Sequence, residues 1–323
     1  MKKFLYTLCL LVLLLIAAGA YLVFVPASAL QSNTNSFSYP TYEAAVADIK
    51  NFDEPEKDQI REDCGSSIYH TGKKEARSIV LWHGYTNCPK QFDEFGRRLA
   101  EKGYNVLIPR TPGHGYQDRM TEALGNVTFE DFQTYIQRSI AIGDMLGDDV
   151  TVVGLSAGGT FALWAAVYEE KADRIITIAP VAYPWGFEPI LREFVVRYAA
   201  FLPNEFKWWS DEQKGDLPGP PHAYRRYSTR SMGIVLHIAS TVEHMLRGGK
   251  RIEKPVTFVI NEADKALRDK ELIEMSNLFE KSGAKVSRYF FEKSKGYPHD
   301  LIDEYNIKEN KEDVYKVLLE LIG

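Results

Sequence analysis

The stretch that most constrains this chain is Val152-Val153-Gly154-Leu155-Ser156-Ala157-Gly158-Gly159. The β-branched run ending at Val153 predicts a buried strand, and the Ala-rich run Thr160 to Tyr168 predicts a helix. Between them Gly-x-Ser-x-Gly demands a sharp strand-to-helix turn. Gly154 and Gly158 permit close backbone approach where a Cβ would clash. Such a turn lifts the Ser156 hydroxyl off the sheet, and the helix that follows aims its unbonded N–H groups at the same spot. A Gly-rich βα turn with no chemistry would show the same glycines, so the spacing alone decides nothing further.

Strand and helix signals alternate on both sides of this turn. Strands are expected at Ala76 to Trp82, Asn105 to Pro109, Asp149 to Leu155, Arg174 to Pro180, Val256 to Asn261 and Val286 to Glu292, with an early edge strand at Ser67 to His70. Helices are expected at Tyr42 to Ile49, Gln91 to Lys102, Phe129 to Leu146 (Thr128 as N-cap), Thr160 to Lys171, Lys270 to Lys281 and Lys308 to Leu321. This alternation implies a mostly parallel central sheet with helices on both faces, an α/β fold. Between Pro180 and Pro255 no strand is evident. That segment is rich in aromatics (Trp185, Phe194, Phe206, Trp208, Trp209) and prolines, and reads as a helical cap insertion over about 183–245. Simple packing of these aromatics on the core is the competing reading.

The N-terminus carries its own signal. Lys2 and Lys3 precede an uncharged, mostly apolar run from Phe4 to Val25. About 22 helical residues at about 1.5 Å each would reach about 33 Å, close to a bilayer's hydrocarbon thickness. The run therefore predicts a membrane anchor with the two lysines cytoplasmic and the remaining chain outside. Ala27-Ser28-Ala29 offers the alternative of a cleaved signal peptide and a secreted or periplasmic protein. The expected organisation is thus residues 1–30 as anchor or signal, 31–75 as tether and N-terminal segment, and 76–323 as the main domain with its insertion.

Of three cysteines, Cys9 lies in the apolar run. Cys64 and Cys88 could bond if exported, or could be two small unpaired hydrophobes. The formal net charge is −5 and no large basic block occurs, which argues against nucleic acid as a partner. No Cys/His spacing suits zinc, and no cofactor is implied.

Taken together, His83-Gly84-Tyr85, Pro109 to Gly115 (Pro-Arg-Thr-Pro-Gly-His-Gly), Gly154 to Gly159, Asn261-Glu262-Ala263-Asp264 and Pro298-His299-Asp300 resemble the α/β-hydrolase superfamily. The resemblance is to the bacterial carboxylesterase, monoacylglycerol lipase and serine aminopeptidase branch, and runs from about Ser78 to the C-terminus apart from the insertion. It implies Ser156 as nucleophile, His299 as base and an acid after the strand ending at Asn261. Asp264 is the first candidate there, with Glu262 and Asp269 as rivals. It also implies an oxyanion hole from the backbone N–H groups of Tyr85 and Ala157. The expected activity is cofactor-independent hydrolysis of a small ester or acyl substrate through an acyl-enzyme. Trp185, Trp208 and Trp209 are candidates for contacting an apolar acyl group. A peptidase or amidase on the same three residues remains open, with Glu188, Glu193 or Asp211 as holders of a substrate amine. So does a non-catalytic binding module of the same fold. Oligomeric state leaves no mark on the sequence.

Overall fold

Seven strands build the central sheet: β1 (Ser67–Tyr69), β2 (Glu75–Trp82), β3 (Asn105–Ile108), β4 (Gly147–Leu155), β5 (Arg174–Ile178), β8 (Pro255–Asn261) and β9 (Lys285–Phe291). They lie in the order β1-β3-β2-β4-β5-β8-β9. Only β1 runs antiparallel to its neighbour; every other pair in this sheet is parallel. The computed structural model describes residues 2–24, 29–33, 37–183, 195–196, 199, 203–209, 214, 220–307 and 309–323.

The helices are α1 (Lys2–Phe24), α2 (Tyr42–Asp48), α3 (Asp93–Glu101), α4 (Phe129–Leu146), α5 (Ala157–Tyr168), α6 (Thr229–Arg247), α7 (Asp269–Lys281) and α8 (Lys311–Ile322). Side chains alternate across the strands, so the sheet feeds two cores. Val80, Trp82, Val152, Ile175 and Phe258 join Phe132 of α4, Phe161 of α5, Val235 of α6 and Met275 of α7. Ile79, Leu81, Val153, Ile176 and Val259 join Phe95 of α3 and Val314 of α8. α4 starts where its sequence says it should. Thr128 accepts from the Asp131 N–H, and Asp131 accepts from the Thr128 N–H, a reciprocal cap.

Register places the site. Trp82 of β2 pairs with Gly154 of β4. The loop after Trp82 and the turn after Leu155 therefore leave the sheet side by side.

The segment between β5 and β8 departs from the sequence reading. It contains an antiparallel hairpin, β6 (Phe206–Trp208) with β7 (Arg226–Ser228), before α6. Strands of three residues are too short to show an alternating pattern, so the sequence carried no sign of them. α6 packs beside α5, and its Val235, Ile238 and Val242 are buried in the core that α5 shares. Residues preceding β2 also engage the domain. Asp53 accepts from Arg110 Nε at 3.0 Å, Glu56 meets Arg110 Nη2 at 2.6 Å, and Ile60 bridges to Tyr116.

The expected anchor is corrected. Among the described residues no helix is long and apolar enough to cross a membrane. The membrane-anchored, extracytoplasmic placement drawn from this run is withdrawn on that finding.

Candidate active site

Ser156 occupies the junction between β4 and α5 with φ 55° and ψ −115°. A non-glycine residue there is strained by about 1–3 kcal/mol and persists only where its surroundings hold it. They do so here. The Ser156 N–H donates to Ile178 O at 2.9 Å, and the Ser156 carbonyl accepts from Thr160 N at 3.0 Å and Val181 N at 3.3 Å. A Cβ on Gly154 would run into the Gly158 carbonyl, and one on Gly158 into the carbonyls of Trp82 and His83. These glycines let the first turn of α5 lie directly on the tips of β2 and β4. Ala157 opens α5, so its N–H is one of the four that a helix leaves without an internal partner.

The loop after β2 rises next to Ser156. A Cβ on Gly84 would lie 3.6 Å from Ser156 Cβ and 3.4 Å from Gln91 Oε1. His83 braces this loop. Its Nε2 accepts from the Thr111 N–H at 3.1 Å, which assigns the ring proton to Nδ1, 3.0 Å from Gly84 O. Burial, with His114 and Arg110 nearby, pushes His83 well below the usual histidine range, so it stands neutral. Tyr85 turns its ring into the insertion, where its hydroxyl bonds Ser228 O at 3.1 Å and the Ser231 hydroxyl. Thr86 has φ 64°. Its hydroxyl donates to Tyr85 O at 2.6 Å and accepts from Trp209 Nε1 at 2.9 Å, and its carbonyl accepts from Tyr224 N at 2.7 Å.

His299 and Asp264 meet at 2.6 Å, Nδ1 to Oδ2. The side chains are 23% and 3% exposed, so the imidazole is only partly buried and the carboxylate is enclosed. Asp264 sits on the turn after β8, where its Oδ1 accepts from Ala266 N at 2.7 Å. Burial pushes His299 down, and the bond and charge of Asp264, aided by Asp300, outweigh it. The net shift is upward from the ordinary value. The rivals turn elsewhere. Glu262 accepts from Lys293 N at 3.1 Å, and Asp269 opens α7, its carboxyl raised by burial and by Glu262 and Asp264.

Several residues that the sequence reading passed over hold this arrangement. Asn261 donates through Nδ2 to both Tyr297 O and Pro298 O at 2.9 Å, pinning the loop just before His299. Gln91 accepts from Gly84 N and donates to Asp300. Nothing in a lone Asn or Gln signals such a bond; only the Asn261 to Asp264 motif pointed near one of them. Cys64 and Cys88 are joined as a disulfide, Cα atoms 5.3 Å apart, beneath the same loop. Of the candidate acyl contacts, Trp208 pairs with Arg226 in the hairpin and Trp209 bonds Thr86. Trp185, Glu188, Glu193 and Asp211 lie outside the described residues.

A family model described as the alpha/beta hydrolase family matches residues 79–300, more than two thirds of the chain and every motif from His83 to His299. The chain belongs to the α/β-hydrolase family. Within that family its likeness is to lipases and esterases. It is 29% identical over 102 residues to a thermostable monoacylglycerol lipase of Bacillus sp. (strain H-257), a match that spans 31% of this chain and 39% of that enzyme. Among solved structures, this α/β hydrolase superimposes on a lipolytic enzyme from a study of the metagenome-derived LipS and LipT with TM-score 0.61 and 19% identity, over 82% of this chain and 99% of that one. A monoacylglycerol lipase of Paleococcus ferrophilus gives 0.59 and 18%, over 80% and 97%. At these identities the likeness speaks for the fold.

Proposed function

We propose that this α/β hydrolase cleaves carboxylic esters, with Ser156 as nucleophile, His299 as general base and Asp264 as its orienting acid. One observation carries the reading: a strained serine on the strand–helix junction faces the Gly84 loop, while a partly exposed histidine is held through Nδ1 by an enclosed aspartate at 2.6 Å. With Nδ1 committed to Asp264, Nε2 is the ring atom that takes the Ser156 proton. Ser156 Oγ attacks the ester carbonyl and forms a tetrahedral intermediate. The Ala157 and Tyr85 N–H groups receive its oxyanion, each worth about 10²–10³ in rate. His299 returns the proton to the leaving alcohol, and water then releases the acid from the acyl-enzyme by the same steps. In this reading residues 76–323 form the hydrolase unit, and the insertion at about 183–245 covers the acyl group.

A fluorophosphonate that forms a covalent bond at residue 156, together with turnover on p-nitrophenyl esters and monoglycerides above aminoacyl amides, is the expected result. Amide turnover that exceeds ester turnover would move the enzyme to the peptidase side. A fluorophosphonate that leaves the chain unlabelled would remove the serine mechanism altogether.

A further inference from the structure

Gln91 lies in the short helical turn Pro89–Phe92 and is 1% exposed. A buried amide is costly unless its donors and acceptor are met. Here the oxygen accepts the Gly84 N–H at 2.7 Å and the nitrogen donates to Asp300 Oδ1 at 3.2 Å. The chemistry of the partners fixes which way round the amide sits. Turned over, its NH₂ would face another N–H and its oxygen would face a carboxylate, two repulsive contacts in place of two bonds.

The two partners stand on different loops. Gly84 precedes Tyr85 and faces Ser156 Cβ, and Asp300 follows His299. The other side of the His299 loop is already pinned by Asn261 through the carbonyls of Tyr297 and Pro298. Gln91 is therefore the cross-brace between the loop that offers an oxyanion donor and the loop that offers the base.

We propose that Gln91 is a positioning residue for ester hydrolysis, holding the Gly84–Tyr85 loop and the His299 loop in one register across Ser156. The inference rests on the triad reading above. The reacting carbonyl sits between a donor on one loop and a base on the other, so a shift of either loop spoils both steps at once. A misplacement of about 1 Å at such a site costs about 10² in rate. The loss falls on kcat, because the brace touches no substrate. An amide that merely satisfied itself in the core would lower stability and leave turnover per folded site unchanged.

The experiment uses the full chain, with sites counted by fluorophosphonate labelling carried to completion and turnover measured on p-nitrophenyl acetate. Gln91→Met should lower kcat per labelled site about 10- to 100-fold, with KM moved less than about threefold. Gln91→Glu should lose comparably, because it sets a second carboxylate against Asp300. Adding Asp300→Asn to Gln91→Glu should recover about tenfold, since the amide introduced at 300 then donates to the carboxylate introduced at 91, whose other oxygen still accepts from Gly84. Wild-type kcat per site in Gln91→Met, or no recovery in the double variant, overturns the proposal. If Gln91→Met fails to fold, the Glu variant and its double decide alone. Ser156→Ala in parallel separates the two levels. Turnover persisting there sinks the triad, whereas turnover abolished there with kcat intact in Gln91→Met sinks only the brace.

Discussion

Two histidines of this α/β hydrolase are bonded to aspartates, and the two pairs differ in almost every other respect. His299 meets Asp264 through Nδ1 at 2.6 Å and is 23% exposed. His222 meets Asp303 through Nε2 at 2.9 Å, and the two side chains are 5% and 0% exposed. Asp303 Oδ1 also accepts from Tyr305 N at 3.0 Å, and Asn87 Nδ2 approaches Oδ2, the oxygen that His222 holds, at 3.5 Å. The first pair is the one assigned above to the Ser156 reaction. The second ties the insertion, through His222, to the loop that follows His299, next to the Cys64–Cys88 disulfide. A histidine–aspartate bond is thus not in itself a mark of chemistry. What distinguishes a base from a brace is which nitrogen stays uncommitted and whether it faces solvent or packing.

The largest expected contrast tests this directly. Ser156→Ala or His299→Ala should lower kcat by about 10⁴–10⁶ with the melting temperature little changed, and the double variant should be no worse than either single one. His222→Ala should do the opposite. It strands the enclosed Asp303 carboxylate, which costs about 3–5 kcal/mol of stability, and it should leave turnover per folded site within a few-fold of wild type. Calorimetry beside active-site titration reads both. A His222→Ala variant that melts normally but is inert would erase the distinction.

The acids give the next contrast. Asp264→Asn should cost about 10⁴ in kcat, as expected where the partner fixes the tautomer, while Asp303→Asn should act on stability. The pH profile carries a sign. His299 must be neutral to accept a proton, and its proton is held more tightly than usual. Activity should therefore fall as pH drops through a value above about 6.5. The residual activity of Asp264→Asn should persist to lower pH, because the charge that raised His299 is gone. For stability the sense is reversed: this pair contributes fully below the unfolded histidine value and loses its contribution as pH rises through the folded one. An acid limb unmoved by Asp264→Asn would assign the raised value to another group.

How much of this was legible in the sequence follows the same division. Ser156 stood out because it sits directly after a strand signal, Asp264 and His299 because they lie in the loops after two later ones, and the glycines around Ser156 are required by backbone contacts that any side chain would break. The sheet was legible because buried parallel strands read as continuous apolar runs. The braces were not. Gln91, Asn261, Asp303 and His222 each act through at least one side-chain bond to a residue far away in sequence, and one buried amide or carboxylate among many exposed ones has no local signature. The β6–β7 hairpin was missed because its strands are three residues long. The N-terminal run misled because uncharged composition and length were read as a spanning helix, and among the described residues no helix is long and apolar enough to be one.

The disulfide should matter less than either pair. Cys64 and Cys88 close a loop of 24 residues. Cross-linking a loop of that size stabilises by about 3 kcal/mol. Cys64→Ala/Cys88→Ala should lower the melting temperature by several degrees with kcat per site nearly unchanged, as expected of the braced region. Two free thiols on the denatured, unreduced wild-type protein would show that no bond forms.

The smallest expected effect sits where the insertion touches the loop beside Ser156. Trp209 stacks on Tyr227 with ring centres 4.5 Å apart and sends its indole N–H to Thr86 Oγ1. Thr86 is a β-branched residue at φ 64°, a conformation that needs outside support. Its hydroxyl passes the contact on to the Tyr85 carbonyl, one peptide from the proposed oxyanion donor. Trp209→Phe keeps the ring and removes only the N–H. A lost neutral hydrogen bond on a half-exposed side chain is worth about 1 kcal/mol, so kcat on p-nitrophenyl acetate should fall about fivefold and fall equally on longer esters. Trp208→Phe, which removes no such bond, should change nothing. If Trp209→Phe instead left the acetate alone and slowed only long-chain esters, Trp209 would belong to the acyl surface and the insertion would act here on substrate rather than as a brace.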